Sequence, residues 1–133
     1  MQNKNNIITV GLIGNPNTGK TSLLNCLTGV NLHVGNWPGK TVEKKQGIIN
    51  YKDRQIRIVD LPGTYSISPY SKEEKIARDF LLMENPDIIV QIIDVNTLER
   101  NLLLTFELLN CFYIQHKIFL ISPTFLILSF ANR

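Results

Sequence analysis

The sequence predicts an α/β fold, a mostly parallel β-sheet flanked by helices and incomplete at its C-terminus, on three observations. An apolar run at 7–13 is typical of a buried parallel strand. A glycine-bounded loop then leads into helical spacing at 21–27, which Gly29 closes as a C-cap. Strand and helix patterns alternate from there to about residue 110, and this order builds a parallel sheet.

The loop between the first strand and the first helix matches the phosphate-binding pattern G-x-x-x-x-G-K-[ST] at every fixed position. Its glycines allow consecutive backbone N–H groups to turn toward a phosphate at the positive end of the helix. Lys20 places a point charge on the β- and γ-phosphates, and the Thr21 hydroxyl completes one position around Mg²⁺. The sequence therefore predicts a P-loop NTPase. The nucleotide-binding residues predicted in this segment are Gly14, Asn15, Pro16, Asn17, Thr18, Gly19, Lys20, Thr21 and Ser22.

Length and composition narrow the possible partners. A chain of 133 residues forms one domain and is short for a complete nucleotide switch domain. The net charge of +3 is spread along the chain, which argues against a nucleic-acid partner. Cys26 and Cys111 have no metal-ligand spacing, and the polar residues 1–6 do not form a secretory signal. These features predict reduced thiols and a cytoplasmic setting.

Downstream of the P-loop the sequence predicts a β-hairpin, and an acidic residue follows its second strand. Val42 to Tyr51 and Gln55 to Val59 have strand character, with Ile48, Ile56 and Ile58 as expected core residues. The segment that follows, 60–63, has the form D-x-x-G.

The D-x-x-G segment places a carboxylate at the end of a buried strand and a glycine three residues later. We expect Asp60 to hold Mg²⁺ through water and the N–H of Gly63 to approach the terminal phosphate. Leu61 and Pro62 complete the predicted binding segment.

The second half of the chain continues the alternation. A capping box at 71–74 predicts a helix to about Glu84, and Asp87 to Ile93 is an apolar strand ending at Asp94, to which we assign a structural role. A second cap at 96–99 begins another helix. The apolar residues at helical spacing in that helix are Leu98, Leu102, Phe106 and Leu109.

Two segments lack clear periodicity. Val30 to Thr41 has neither helical nor strand spacing, so we predict a functional loop with His33 at the surface and Trp37 as an exposed aromatic. From Cys111 to Phe130 the only charged residue is Lys117. This tail is too short to cross a bilayer as a helix, and 117–122 is compatible with a buried strand.

Four stretches, at 14–21, 35–44, 60–66 and 98–102, together resemble the N-terminal G domain of the ferrous iron transport protein B (FeoB) family, a Ras-like P-loop fold. Gly-Asn-Trp-Pro-Gly at 35–39, followed by Thr-Val-Glu, discriminates this family from other P-loop proteins. The resemblance covers about residues 7 to 110, after which the chain reads as truncated or frameshifted. We therefore expect a G domain over 1–110 and a divergent apolar tail over 111–133, with a fifth strand and a non-native terminus.

The resemblance implies roles for further residues. Val30 to Thr41 becomes switch I, in which Gly39 and Lys40 contact nucleotide and the Thr41 hydroxyl reaches Mg²⁺ only when a γ-phosphate is present. Thr64 to Ser71 becomes switch II, and Asn17 helps to bind K⁺ at the phosphates. No glutamine stands near Thr64 to orient water, so slow hydrolysis is expected. The residues then assigned to catalysis are Lys20, Thr41 and Gly63.

The same resemblance implies GTP and GDP as ligands, with Mg²⁺ and K⁺ as cofactors, and a polytopic membrane domain that carries Fe²⁺ in the full-length protein. It places this domain at the cytoplasmic face of the plasma (inner) membrane and is compatible with a homo-oligomer assembled through the G domain. Two alternatives stay open: a soluble potassium-linked GTPase of ribosome assembly or tRNA modification, and a non-catalytic nucleotide-binding fragment.

One departure from the family pattern bears on base selection. Guanine is normally selected by an N-x-x-D-type motif whose carboxylate accepts two hydrogen bonds from the base. Residues 122–125 read Ser-Pro-Thr-Phe at that position, and no aspartate follows Asp94. We therefore expect weakened binding with little preference for guanine over adenine.

Overall fold

The computed structural model describes residues 7–112, 117–121 and 127–130, which form seven strands and three α-helices. The strands are β1 (Ile7–Gly14), β2 (Leu32–Asn36), β3 (Glu43–Tyr51), β4 (Arg54–Asp60), β5 (Ile88–Ile92), β6 (Lys117–Ile121) and β7 (Ile127–Phe130). The helices are α1 (Lys20–Thr28), α2 (Lys72–Asp79) and α3 (Leu98–Phe112).

The strands form one mixed sheet in the order β2-β3-β4-β1-β5-β6-β7. The central strand β1 pairs in parallel with β4 and β5, and β5 pairs in parallel with β6. The edges are antiparallel: β3 pairs with both β2 and β4, and β7 pairs with β6. The parallel centre agrees with the predicted fold class. The carboxyl end of β1 lies at the point where the chain changes direction along the sheet, which is where ligands of such sheets bind.

The sheet has a hydrophobic core on each face. On one face Val10, Leu12 and Ile58 pack with Leu24 of α1. The larger core on the other face joins Ile13, Val59 and Ile89 to α2 and α3. Other buried members of this larger core are Trp37, Leu61, Ile67, Ile76, Ala77, Phe80, Leu81, Leu104, Leu108, Phe112 and Ile118.

The helix ends follow the predicted caps. Gly29 ends α1 with a positive φ of 54°, which glycine adopts without strain. At α2 the Ser71 hydroxyl accepts from the Glu74 N–H, and the Glu74 carboxylate accepts from the Ser71 N–H, which completes the capping box. The predicted helix to Glu84 is present, with a final π-helical segment over Phe80–Glu84 that ends at Asn85, φ 47°.

Three predictions about strands need correction. The loop predicted over 30–41 contains strand β2, which forms the edge of the sheet and is exposed over most of its length. A strand with no buried face has no alternating apolar pattern by which to recognise it. Ile48 is 38% exposed, whereas its neighbour Ile49 packs against the core. The tail contains β7 as well as the expected β6, and Ser122 lies outside the described residues.

The buried face of α3 also differs from the predicted one. Its buried residues are Asn101, Leu104, Thr105, Leu108 and Phe112, not the predicted set beginning at Leu98. The reason is a polar partner on β5: the buried Gln91 side chain donates to the Asn101 carbonyl and accepts from the Thr105 hydroxyl. A polar strand residue thus selects a partly polar helix face.

Within residues 7–112, 117–121 and 127–130, no helix combines the length and hydrophobicity needed to cross a bilayer.

Candidate nucleotide site

The P-loop connects the end of β1 to the start of α1 at the predicted position. Asn17 and Gly19 have left-handed backbones, with φ values of 63° and 93°. The Thr18 hydroxyl donates to the Asn15 carbonyl over 2.9 Å, which stabilises the loop from within. Left-handed residues that alternate with residues of other conformation turn neighbouring N–H groups toward one point, which is how backbone nests bind phosphate at helix N-termini.

Lys20 is the main positive charge of the loop. Its side chain is only 7% exposed, and its Nζ donates one long hydrogen bond of 3.4 Å to the Asn15 carbonyl. Burial lowers the pKa of Lys20, and the nearby Asp60 opposes that shift. A buried ammonium group with one weak acceptor is a strong site for an anion.

Asp60 faces the same cleft from the end of β4. The Thr21 hydroxyl donates to Asp60 Oδ2 over 2.8 Å, while Oδ1 is buried and has no hydrogen-bond partner among the described residues. Burial raises the pKa of Asp60, against the lowering effects of the Thr21 hydrogen bond and of Lys20 and Lys45. An orphaned carboxylate oxygen beside a hydroxyl is the hard oxygen donor set that Mg²⁺ prefers. These residues fit the ion.

A cleft of about 170 Å³ lies between these groups. Its lining residues are Lys20, Thr21, Glu43, Lys45, Asp60, Leu61, Pro62 and Gly63. It brings the P-loop lysine and threonine together with the whole D-x-x-G segment.

The D-x-x-G segment is fixed to the P-loop by its backbone. The Leu61 N–H donates to the Leu12 carbonyl over 2.9 Å, and the Thr64 N–H donates to the Gly14 carbonyl over 3.0 Å. A Cβ at Gly63 would lie 2.8 Å from Pro16 Cα, so a side chain at residue 63 would force the two loops apart. Glycine at this position therefore permits the close approach of the two segments.

The predicted switch I residues lie away from this cleft. Thr41 is exposed and does not line the cleft, and Lys40 lines a separate cavity of about 240 Å³ beside α2. Gly39 has φ 67° and supports the tight turn that contains both residues. Asn17 is exposed at the crest of the P-loop, and its proposed contact with K⁺ stays a prediction.

Sequence reasoning missed two charged residues of the cleft, Glu43 and Lys45. They are two apart on β3, so they share a face, and Lys45 is paired in register with Asp60. Their side chains form an ion pair of 3.6 Å. Strand alternation after Thr41 could have identified them.

Trp37 is buried, contrary to the expectation of an exposed loop aromatic. It is 6% exposed and packs edge-on against Phe80, with ring centroids 6.0 Å apart. The Lys44 ammonium lies 4.5 Å from the centre of the indole ring. Trp37 thus connects the segment before Thr41 to the π-helical end of the helix that follows residues 64–71.

The segment predicted as switch II is held by α3. The Ser66 hydroxyl donates to Glu107 Oε1 over 2.9 Å, and the Ile67 N–H donates to Glu107 Oε2 over 2.8 Å. Arg100 lies over the Tyr65 ring at 5.1 Å. The predicted polar loop is therefore anchored to α3 through three consecutive residues, 65–67.

Comparison with known proteins agrees with this geometry. The family model described as ferrous iron transport protein B matches residues 8–120. The Fe(2+) transporter FeoB of Methanocaldococcus jannaschii is 52% identical over 101 residues, and that of Escherichia coli K12 is 49% identical over 107 residues. These matches cover 76% and 77% of this chain but only 15% and 14% of the relatives' length.

Solved structures give the same assignment. The cytosolic domain of the T. maritima FeoB iron transporter in apo form superimposes with a TM-score of 0.80 at 46% identity, covering 87% of this chain and 45% of that one. The T. maritima FeoB G domain gives 0.79 at 43% identity, covering 89% and 74%. The T. maritima cytosolic domain has also been solved in GDP and GMPPNP forms. The chain belongs to the ferrous iron transport protein B family.

Proposed function

We propose that this chain is the GTP-binding, Mg²⁺-dependent GTPase domain of a ferrous iron transporter, and that its nucleotide state controls a membrane domain that conducts Fe²⁺. The observation that carries the proposal is the pairing of the Thr21 hydroxyl with Asp60 at 2.8 Å, next to an unpartnered Asp60 Oδ1 and a buried Lys20. Membership of the family supports the transporter over a soluble ribosome-assembly or tRNA-modifying GTPase.

In this proposal the P-loop holds the polyphosphate. Backbone N–H groups of 14–20 and the Lys20 ammonium neutralise the β- and γ-phosphates, an arrangement that acts mainly by positioning and charge stabilisation. Thr21, Asp60 and, in the triphosphate state, Thr41 would hold Mg²⁺, which neutralises charge on the β- and γ-phosphate oxygens when bound. The Gly63 N–H reports whether a terminal phosphate is present, because this glycine lies against Pro16 of the P-loop.

Hydrolysis in this chain is proposed to be slow and dependent on K⁺. No glutamine near Thr64 is available to orient water. Asn17, exposed on the P-loop, would supply its amide oxygen to a potassium ion bound beside the phosphates. The test is phosphate release with K⁺ replaced by Na⁺ at equal ionic strength. Two results together support this role: the natural chain is slower in Na⁺ than in K⁺, and Asn17→Ala in K⁺ loses the faster rate. Equal rates of the natural chain in both salts contradict it.

A second candidate function is nucleotide binding without guanine selection. It is favoured by one sequence observation: no aspartate follows Asp94, and 122–125 read Ser-Pro-Thr-Phe, a stretch outside the described residues. Losing two hydrogen bonds to a carboxylate, at roughly 1.5 to 3 kcal/mol each, lowers guanine affinity by about two to four decades. Calorimetric titration with GDP and ADP decides the point: similar affinities indicate an unselective site, whereas a strong guanine preference means that another group reads the base.

The proposed partner in the full-length protein is a membrane transport domain, with this domain at the cytoplasmic face of the plasma (inner) membrane. We also keep the proposed division into a G domain over 1–110 and a divergent tail over 111–133, and an assembly of copies through the G domain. The family match extends to residue 120, which lies within the proposed tail. Sedimentation of the chain with and without nucleotide tests the assembly.

A further inference from the structure

We propose that Trp37 is a positioning residue for Thr41: docked against Phe80, it holds Thr41 away from the nucleotide cleft, and it undocks when a nucleoside triphosphate and Mg²⁺ bind. The inference rests on the proposed nucleotide function and adds a regulatory element to the same site. It explains why a residue expected at the metal is exposed and absent from the lining of the cleft.

The first step of the argument is that Thr41 moves with Trp37. The Trp37 N–H donates to the Val42 carbonyl over 2.9 Å, and the Lys40 N–H donates to the Trp37 carbonyl over 2.9 Å. Gly39 closes the turn with φ 67°. Residues 37–42 are thus a small closed turn whose only deeply buried side chain is the indole. The position of Thr41 follows the position of that anchor.

The second step is that the docked state is stabilised by packing but carries a polar defect. The indole ring is buried against Phe80 and lies beneath the Lys44 ammonium, both favourable for an aromatic ring. Its Nε1–H, however, is buried and has no acceptor within the described part of the chain. An unpaired buried donor is a cost that the undocked state removes, because water can then accept from it. Two states of similar free energy are the requirement for a switch.

The third step is that the docking site lies on the helix that directly follows the predicted switch II. Phe80 begins the π-helical end of the helix that follows residues 64–71, and such irregular turns are common at functional sites. Glu84, at the end of the same turn, forms ion pairs with Arg57 at 2.6 Å and with Lys44 at 3.8 Å. Release of Trp37 from Phe80 would therefore change the surroundings of both predicted switches together.

The chain allows a direct test, because Trp37 is its single tryptophan. Intrinsic fluorescence of the full chain is measured with GDP and with GMPPNP, both with Mg²⁺, together with quenching by acrylamide. We expect a red-shifted emission and stronger quenching with GMPPNP than with GDP. Equal emission and equal quenching in the two complexes would overturn the proposal.

A second measurement separates switching from simple structural support. Calorimetry on Trp37→Ala should show a several-fold increase in the affinity for GMPPNP relative to GDP, because the variant no longer has to break the docked state. Phe80→Leu should act in the same direction, and the double variant should gain less than the sum of the two. A purely structural role would weaken both nucleotides alike and leave their ratio unchanged, which would also overturn the proposal.

The matched control is Tyr51→Ala, an exposed aromatic at the far end of β3, which should leave the ratio unchanged. Should Trp37→Ala fail to fold, the fluorescence experiment on the natural chain still decides the matter. Failure of the natural chain to bind any nucleotide would refute the proposed function and this inference together. Normal binding with an unresponsive Trp37 would refute only the inference.

Discussion

The two sides of the nucleotide cleft are held in different ways. On one side the P-loop and the D-x-x-G segment are joined by main-chain hydrogen bonds from Leu61 and Thr64 to the end of β1. On the other side the turn at 37–42 projects from the hairpin of β2 and β3, and its anchor is the buried ring of Trp37, with the half-buried Val42 packed beside the same core. Backbone bonds at the centre of a parallel sheet resist movement, whereas a single docked ring can be released.

This difference separates binding from sensing. The central side provides charge and N–H groups at fixed positions, which is the arrangement that captures phosphate without reorganisation. The edge side places Thr41 outside the cleft and can change position without disturbing the sheet. A domain that reports the presence of a γ-phosphate needs a fixed part that binds the nucleotide and a movable part that responds to it.

Removing Lys20, the positive charge of the fixed side, should have the largest effect on nucleotide binding. In Lys20→Ala we expect nucleotide affinity to fall by about two to four decades, because two hydrogen bonds to charged phosphates are lost at roughly 1.5 to 3 kcal/mol each. Titration calorimetry with GDP measures the loss. Lys75→Ala, which removes an exposed lysine of α2 outside the cleft, is the control and should keep GDP affinity. Equal losses in the two variants would mean that Lys20 does not hold the phosphates on the fixed side.

Removing the hydroxyl of the movable side should have a smaller and selective effect. We expect Thr41→Ala to weaken GMPPNP by roughly ten- to a hundred-fold while sparing GDP, since one interaction with a charged group contributes about 1.5 to 3 kcal/mol. Thr41→Ser keeps the hydroxyl and should restore affinity. If both nucleotides lose affinity to the same extent, Thr41 does not act as the γ-phosphate sensor.

Adding one methyl group to the fixed side should cost stability. In Gly63→Ala the new Cβ would meet the backbone of Pro16, so we expect a loss of about 1 to 3 kcal/mol in the free energy of unfolding. Gly35→Ala is the matched control, since a Cβ there meets nothing within 4 Å. Thermal unfolding of the two variants makes the comparison. Similar melting temperatures would mean that the two loops are not held closely together.

The fixed side could be predicted from the sequence because its chemistry belongs to the main chain. Glycine spacing and a following lysine specify where backbone N–H groups turn, whatever the rest of the fold does. The capping box at Ser71 and the C-cap at Gly29 were predicted for the same local reason. Loop and cap motifs that depend on only a few neighbouring residues can be recognised from a single sequence.

The movable side could not be predicted because its features depend on distant partners. Trp37 is buried because Phe80, 43 positions later, and other distant core residues pack around it, and no local pattern indicates these contacts. Strand β2 has no buried face to produce alternation, and the face of α3 was set by Gln91 of β5. Each error arose where tertiary contact overrides local spacing.

The smallest expected effect concerns the anchor of residues 64–71 to α3, which is intermediate between the two sides. Glu107→Gln removes the charge and replaces one acceptor oxygen with a donor, so the Ser66 hydroxyl can no longer donate to that atom and the hydrogen bond from the Ile67 N–H to the remaining oxygen is weakened. We expect a loss of about 1 kcal/mol in the free energy of unfolding and faster amide exchange at Ile67. Glu99→Gln, exposed at the start of the same helix, should cost only a few tenths of a kcal/mol. Unchanged exchange at Ile67 would mean that the carboxylate does not restrain this segment, which would then belong with the movable side of the cleft.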